Sequence, residues 1–164
     1  MSSQRKTAIV TGASQGIGAG IVKGFVERGF NVVANSRKVT QSTEVAASNQ
    51  VALVDGHIGE PATATRIVET ALSRFKSIDV LVNNAGIFFT KPFTDYTAED
   101  FKSLVSTNIE GFLYVTQLSI KQMLAQKTGG SIVTITAALA RNPIRHESPA
   151  ARAFADFLKE GLRP

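Results

Sequence analysis

Apolar positions along this chain fall into two alternating rhythms. Short β-rich or nearly all-apolar runs occupy 6–11, 30–34, 51–54, 78–82 and 131–135, each bounded by turn-forming residues, and they read as five strands. The fourth, Ile78-Asp-Val-Leu-Val82, alternates so little that it predicts a strand covered on both faces. Between the strands the spacing changes to that of a helix. Ile21, Val22, Phe25 and Val26 share one stripe of 18–28, and Ile67, Val68, Ala71, Leu72 and Phe75 share another within 61–75. A longer pattern from Thr97 to about Lys127 carries Phe101, Leu104, Val105, Ile109, Phe112, Leu113, Val115 and Leu118.

The punctuation agrees with the periods. Gly29 closes the first helix with a residue tolerant of positive φ, and Pro61 stands where a first helical turn accepts it. Thr97, with Asp100 three residues on, reads as a helix cap, and Gly129-Gly130 stops the long pattern. The polar stretch 39–49 predicts a short exposed helix. Strand and helix therefore alternate through residues 1–136, which predicts an α/β domain with a doubly wound parallel sheet, because each parallel crossover needs a helix. Residues 137–164 lose this order and read as a divergent tail, with one short helix starting near Ser148-Pro149 and Phe154, Phe157 and Leu158 on one side.

Composition narrows the classes of function. A chain of 164 residues, 43% apolar and 19% charged, has the make-up of one globular domain. The net charge of +5 is dispersed, with no basic run longer than Arg5-Lys6 or Arg37-Lys38, which argues against nucleic acid as a partner. With no cysteine there are no disulfides, thiolate metal sites or thiol nucleophiles, and two histidines predict no metal cluster. Apolar runs are strand-sized, and residues 1–6 lack a signal-like segment, so the expectation is a cytoplasmic protein without a membrane span.

Chemistry concentrates where the first strand enters the first helix. Thr11-Gly-Ala-Ser-Gln-Gly-Ile-Gly18 places glycines at 12, 16 and 18, suited to a tight turn, to backbone approach by a pyrophosphate, and to close helix–sheet packing. The helix N-terminus offers N–H donors and partial positive charge to the phosphates, and Ser14 adds a hydroxyl. At the end of the second strand, a carboxylate would accept a ribose 2′-hydroxyl and repel a 2′-phosphate. The chain has Asn35-Ser36-Arg37-Lys38 there, so NADP is favoured over NAD, with Arg37 able to clamp the phosphate. Asn83-Asn84-Ala-Gly86 follows the fourth strand with amide side chains for cross-bracing and small residues for packing against a nucleotide.

Thr11-Gly12 with Gly16-Ile-Gly18, Asn83-Asn-Ala-Gly86 and Thr107-Asn-Ile-Glu-Gly111 together resemble the short-chain dehydrogenases/reductases, and the likeness runs from Lys6 to about Ile135. The resemblance implies a Rossmann-type sheet of order 3-2-1-4-5, here lacking the family's last two strands, with the cofactor crossing the carboxyl edge between the first and fourth strands. It implies that Gly12, Ser14, Gln15, Gly16, Ile17 and Gly18 line the pyrophosphate and that Ser36 and Arg37 meet the adenosine ribose. Asn84, Ala85 and Gly86 would border the adenosine and the inner ribose. The family commonly bonds the adenine amino group with an Asp after the third strand. Val54-Asp-Gly-His-Ile58 places His57 there, followed by Ile58, with Asp55 the alternative if the register slips. The implied partners are a small carbonyl or alcohol substrate and a second copy of the chain, paired through the helix at 100–127.

The resemblance also implies a Ser-Tyr-Lys set that moves the proton, with an Asn supporting a water relay. Asn108 matches that Asn. Ala137 or its neighbour stands where the Ser is expected, and no Tyr-x-x-x-Lys follows: Tyr96 and Tyr114 both precede the fifth strand, and Lys159 has Ala155 four residues earlier. Tyr114 reads as a helix packing residue. Three functions follow from this reading: an NADP(H)-dependent oxidoreductase, a non-catalytic nucleotide-binding relative of one, and a dimerisation module derived from one.

Overall fold

The structure is a computed structural model and describes residues 5–135. Readings that fall on Ala137, Ala155, Lys159 and the tail helix lie outside the described residues. Strands β1 (Thr7–Thr11), β2 (Asn31–Ser36), β3 (Val51–Asp55), β4 (Val80–Asn83) and β5 (Ser131–Thr134) form one sheet of order β3-β2-β1-β4-β5. Every pairing in it is parallel. Helices α1 (Gly16–Glu27) and α2 (Pro61–Phe75) follow β1 and β3, and α3 (Ala98–Val105) and α4 (Gly111–Ala125) follow β4.

The strand period of two sorts side chains onto the two faces. Ile9, Val33, Ala52 and Leu81 pack with Ile67, Ala71 and Phe75 of α2 and Val115 and Met123 of α4. Val10, Val32, Ala34 and Val82 pack on the opposite face with Ala19 and Val22 of α1. All five residues of β1 are buried, as befits a central strand with helices on both sides.

The helix ends follow from local chemistry. Gly29 has φ of 80°, and Pro61 opens α2. Thr97 and Asp100 form a reciprocal capping box: the Asp100 N–H donates to the Thr97 hydroxyl at 3.2 Å, and the Thr97 N–H donates to the Asp100 carboxylate at 2.8 Å.

Two expectations need correction. The stretch 39–49 contains only a 3₁₀ turn at Val39–Gln41 rather than a short exposed helix. Val39 and Val45 are buried in the α1-side core, and the Ser42 and Ser48 hydroxyls accept nearby backbone N–H groups that a helix would need. The long pattern at 97–127 is interrupted at its centre: Ser106–Glu110 winds as a π-helix between α3 and α4. That wider turn lies at the mouth of the sheet, where such bulges commonly mark functional sites.

Candidate functional site

The carboxyl ends of β1 and β4 are tied together by Thr11 and Asn84. The Thr11 hydroxyl donates to the Val82 carbonyl at 3.4 Å and accepts the N–H groups of Asn84 and Ala85 at 3.1 and 3.0 Å. Asn84 Nδ2 donates to the carbonyls of Thr11 and Gly12 at 3.0 and 3.1 Å. Contact this close requires glycine. A Cβ on Gly12 would lie 2.8 Å from Ala85 Cα, and one on Gly18 would lie 2.2 Å from the Gly12 carbonyl and 2.7 Å from Asn84 Nδ2. Gly12 and Gly16 have φ of 65° and 57°, in the left-handed region that favours glycine. The glycine turn thus bends back onto the Asn84 loop, leaving a crevice above the strand ends.

That crevice is two adjoining hollows, of about 790 and 480 Å³, which share Ile58, Ala85, Gly86, Ile87, Phe88 and Thr107 as walls. Each volume lies within the ~300–1,000 Å³ typical of small-molecule sites. Gly12, Ser14, Gln15, Ser36, Arg37, His57, Ile58, Ala85 and Gly86 line the larger hollow. Ile17, Ile58, Asn84, Ala85, Gly86 and Asn108 line the smaller. Of the site residues expected from sequence, Gly16 and Gly18 line neither and instead shape the turn behind them. Among the described residues, Arg37 is the one cationic side chain on the wall of the larger hollow, and no carboxylate lines it. This wall fits a polyanion carried beside a helix N-terminus.

The loop after β3 is wedged against the π-helix one residue at a time. His57 Nε2 lies 3.3 Å from the Thr107 hydroxyl, a Cβ on Gly111 would lie 2.5 Å from Ile58, and a Cβ on Gly59 would lie 2.2 Å from Ser106 Oγ. The Gly59 N–H donates to His57 Nδ1 at 3.1 Å, so Nδ1 is an acceptor, and in the neutral ring the proton sits on Nε2 facing Thr107. His57, not Asp55, faces the crevice. Asp55 turns outward to Thr40, whose hydroxyl and backbone N–H hold its carboxyl below the usual carboxylate range.

Asn108 faces the crevice with its amide already engaged. Its Nδ2 donates to the Ile87 carbonyl at 2.9 Å and its Oδ1 accepts the Ile87 N–H at 2.9 Å, which clamps the loop after β4. Neither tyrosine presents a hydroxyl to the crevice: Tyr96 donates to the Phe89 carbonyl at 2.8 Å, and Tyr114 packs against the α2-side core. Among the described residues no group of three or more His, Cys, Asp or Glu side chains gathers as a metal site, and no helix is long and apolar enough to cross a membrane.

Several contributors were not singled out by sequence reasoning. Thr107 lines both hollows, and Ser103 and Ser106 line the larger. Asn35, buried at the end of β2, donates from Nδ2 to the Val54 and Gly56 carbonyls while its Oδ1 has no partner among the described residues. Glu44 accepts the Gly16 N–H at 3.2 Å. Thr107 stood within the Thr107-Asn-Ile-Glu-Gly111 motif, whereas nothing in the sequence pairs Glu44 with a residue 28 positions away.

With this geometry in view, comparison with known proteins is direct. The family model for short chain dehydrogenase matches residues 6–156. The chain belongs to the short-chain dehydrogenase family. It is 33% identical over 135 residues to an NADP-dependent (R)-specific alcohol dehydrogenase of Lentilactobacillus kefiri, covering 80% of this chain and 54% of that protein. It is 36% identical over 137 residues to an L-rhamnose 1-dehydrogenase (NAD(P)(+)) of Sphingomonas sp. (strain SKA58), again covering 80% and 54%. Among solved structures, it superposes with a TM-score of 0.74 and 29% identity on a 3-ketoacyl-(acyl-carrier-protein) reductase from Brucella melitensis complexed with NADH, covering 82% of this chain and 59% of that one. The chain spans about half the length of the curated relatives it matches. Family and fold together define a Rossmann-type short-chain dehydrogenase scaffold.

Proposed function

We propose that this chain binds NADP(H), and that dinucleotide binding, rather than turnover of a carbonyl or alcohol, is what residues 5–135 are equipped to do. The observation that carries this reading is the Thr11–Asn84 brace, which holds the glycine turn and the loop after β4 on one crevice with Arg37 on its wall. With the Gly16 N–H taken by Glu44, the glycine turn at Gly12, Ser14 and Gln15, which lines the larger hollow, meets the diphosphate, and Ser36 and Arg37 meet the adenosine ribose and its 2′-phosphate. His57 and Ile58 face the base, and Ala85, Gly86 and the Asn108-clamped Ile87 border the inner ribose and nicotinamide. When bound, NADP(H) supplies a hydride acceptor or donor. These residues orient it and exclude water, but the described residues offer no tyrosine hydroxyl to move the accompanying proton.

One experiment separates the readings: a calorimetric titration with NADPH and NADH, then an assay of the same sample on a panel of carbonyl substrates. Micromolar NADPH binding without turnover is the expected result. Absence of dinucleotide binding overturns the proposal, and NADPH oxidation coupled to carbonyl reduction shows that residues beyond 5–135 supply the proton donor.

Self-association belongs to the same reading. Phe101, Ile109, Leu113 and Leu124 are 52–73% exposed along α3, the π-helix and α4, within the helical stretch 100–127, and size exclusion at two concentrations tests whether copies pair there.

A further inference from the structure

A hydroxyl inside a helix can return its hydrogen to the carbonyl one turn back. Ser103 in α3 does so, donating to the Glu99 carbonyl at 2.8 Å. Thr107, one turn further on in the π-helix, does not: among the described residues its oxygen meets only His57 Nε2, at 3.3 Å. The direction of that contact is fixed from the other side of the ring. The Gly59 N–H donates to His57 Nδ1, so in the neutral ring Nε2 carries the proton and donates to Thr107 Oγ1. A hydroxyl that accepts still has its own hydrogen to give, and no acceptor among the described residues takes it.

Both residues of this pair stand on the wall of the larger hollow, and Thr107 lines the smaller one as well. Thr107 is only 8% exposed, so an O–H left unpaired there costs more than one in bulk water. The pair is also held in place. Gly59 against Ser106 and Gly111 against Ile58 close the loop after β3 onto the π-helix, with no room for a Cβ at either glycine. Both ring nitrogens of His57 are engaged and Asp55 is turned out to Thr40, so of these three side chains only Thr107 has a hydrogen left for a ligand.

We infer that Thr107 is a binding residue for the base of the dinucleotide, donating its hydroxyl hydrogen to a ring nitrogen of that base, and that His57 is the positioning residue that keeps this hydrogen free. The inference rests on the NADP(H)-binding reading above, in which His57 and Ile58 face the base. Adenine presents bare ring nitrogens as acceptors at its edges. Four variants test the pair. Thr107→Val keeps the branched shape and removes the hydroxyl, and Thr107→Ser retains it. His57→Asn keeps an acceptor for the Gly59 N–H but is too short to donate to Thr107, whereas His57→Gln reaches Thr107 with an amide donor. The probes are NADPH and adenosine 2′,5′-bisphosphate, the phosphorylated adenosine half without nicotinamide, titrated by calorimetry, with a thermal melt of each variant without ligand.

T107V is expected to bind both probes about tenfold more weakly and T107S within about twofold of wild type, with H57N sharing the loss and H57Q recovering most of it. In the double variant of H57N and T107V the losses do not multiply, because the two residues act through one hydrogen bond. Loss with NADPH but not with the bisphosphate places Thr107 against the nicotinamide half and overturns the inference. So does T107V binding as tightly as wild type, or T107S binding as weakly as T107V. Losses that multiply overturn the role of His57. Should the melt show T107V unfolded, H57N against H57Q decides the same question. If wild type binds neither probe, the function proposed above fails. If wild type binds both and the variants depart from this pattern, only the assignment of Thr107 and His57 fails.

Discussion

Asn108 and Ile87 are joined at two points, Nδ2 to carbonyl and N–H to Oδ1, both at 2.9 Å. One side chain on the π-helix therefore replaces the strand partner that the backbone loses where β4 ends. A proton-relay role for Asn108 has to use what the clamp leaves over, one amide N–H and the second lone pair of Oδ1. Replacing it by Ala strands both Ile87 groups. At ~1 kcal/mol for each lost bond, Asn108→Ala is expected to cost about 2 kcal/mol in chemical denaturation and to weaken dinucleotide binding. Asn108→Asp keeps the acceptor and is expected to fall between wild type and Ala.

Two glycines of α1 separate packing from propensity. Gly18→Ala drives a methyl to 2.2 Å from the Gly12 carbonyl, and the neighbours there are backbone atoms and a committed amide that cannot move aside. A loss of ~1–3 kcal/mol and loss of dinucleotide binding are expected. Gly20→Ala, at an exposed helical position with nothing within 4 Å, is expected to raise stability by ~0.5–1 kcal/mol in the same urea titration and to leave binding unchanged.

Among the described residues, Arg37 supplies the one cationic side chain on the wall of the larger hollow. Hydrogen bonds to a charged group are worth ~1.5–3 kcal/mol, so Arg37→Ala is expected to weaken NADPH binding at least tenfold and to leave NADH within about twofold. Equal weakening of both in calorimetry would remove the assignment of Arg37 to the 2′-phosphate.

Acid sensitivity should appear at the start of α3. The Lys91 ammonium, and next the Thr97 N–H, hold the Asp100 carboxyl below its ordinary value. A carboxyl lowered on folding stabilises the fold above its unfolded value, and that contribution is lost as pH falls through the lowered value. Melting temperature is therefore expected to drop between about pH 4 and pH 2, and Asp100→Asn should show a smaller drop over the same range. A drop of equal size in the variant would clear Asp100 of the effect.

Legibility differed between parts of the chain for identifiable reasons. The parallel order was readable because near-continuous apolar strands such as 78–82 can be covered on both faces only by helices on each side. The capping box at Thr97 was readable because its partners lie three residues apart. The stretch 39–49 was misread because Val39 and Val45 do not show helical spacing yet are both buried, and the Ser42 and Ser48 hydroxyls satisfy the local backbone. The π-helix was hidden as well, since one widened turn barely disturbs a stripe of apolar residues.

The local sequence by itself determined the order of strands and helices, the glycine turn after β1, the absence of an acid beside Arg37, and the departure at His57, because each depends on neighbours within a few residues. Tertiary structure alone decided which atoms meet. The seating of His57 against Thr107, the occupation of the Gly16 N–H by Glu44 and the engagement of Asn108 with Ile87 join residues 50, 28 and 21 positions apart. The free energy of such contacts depends on how the sheet and the π-helix hold the two partners together, and no local pattern of residue types encodes that distance.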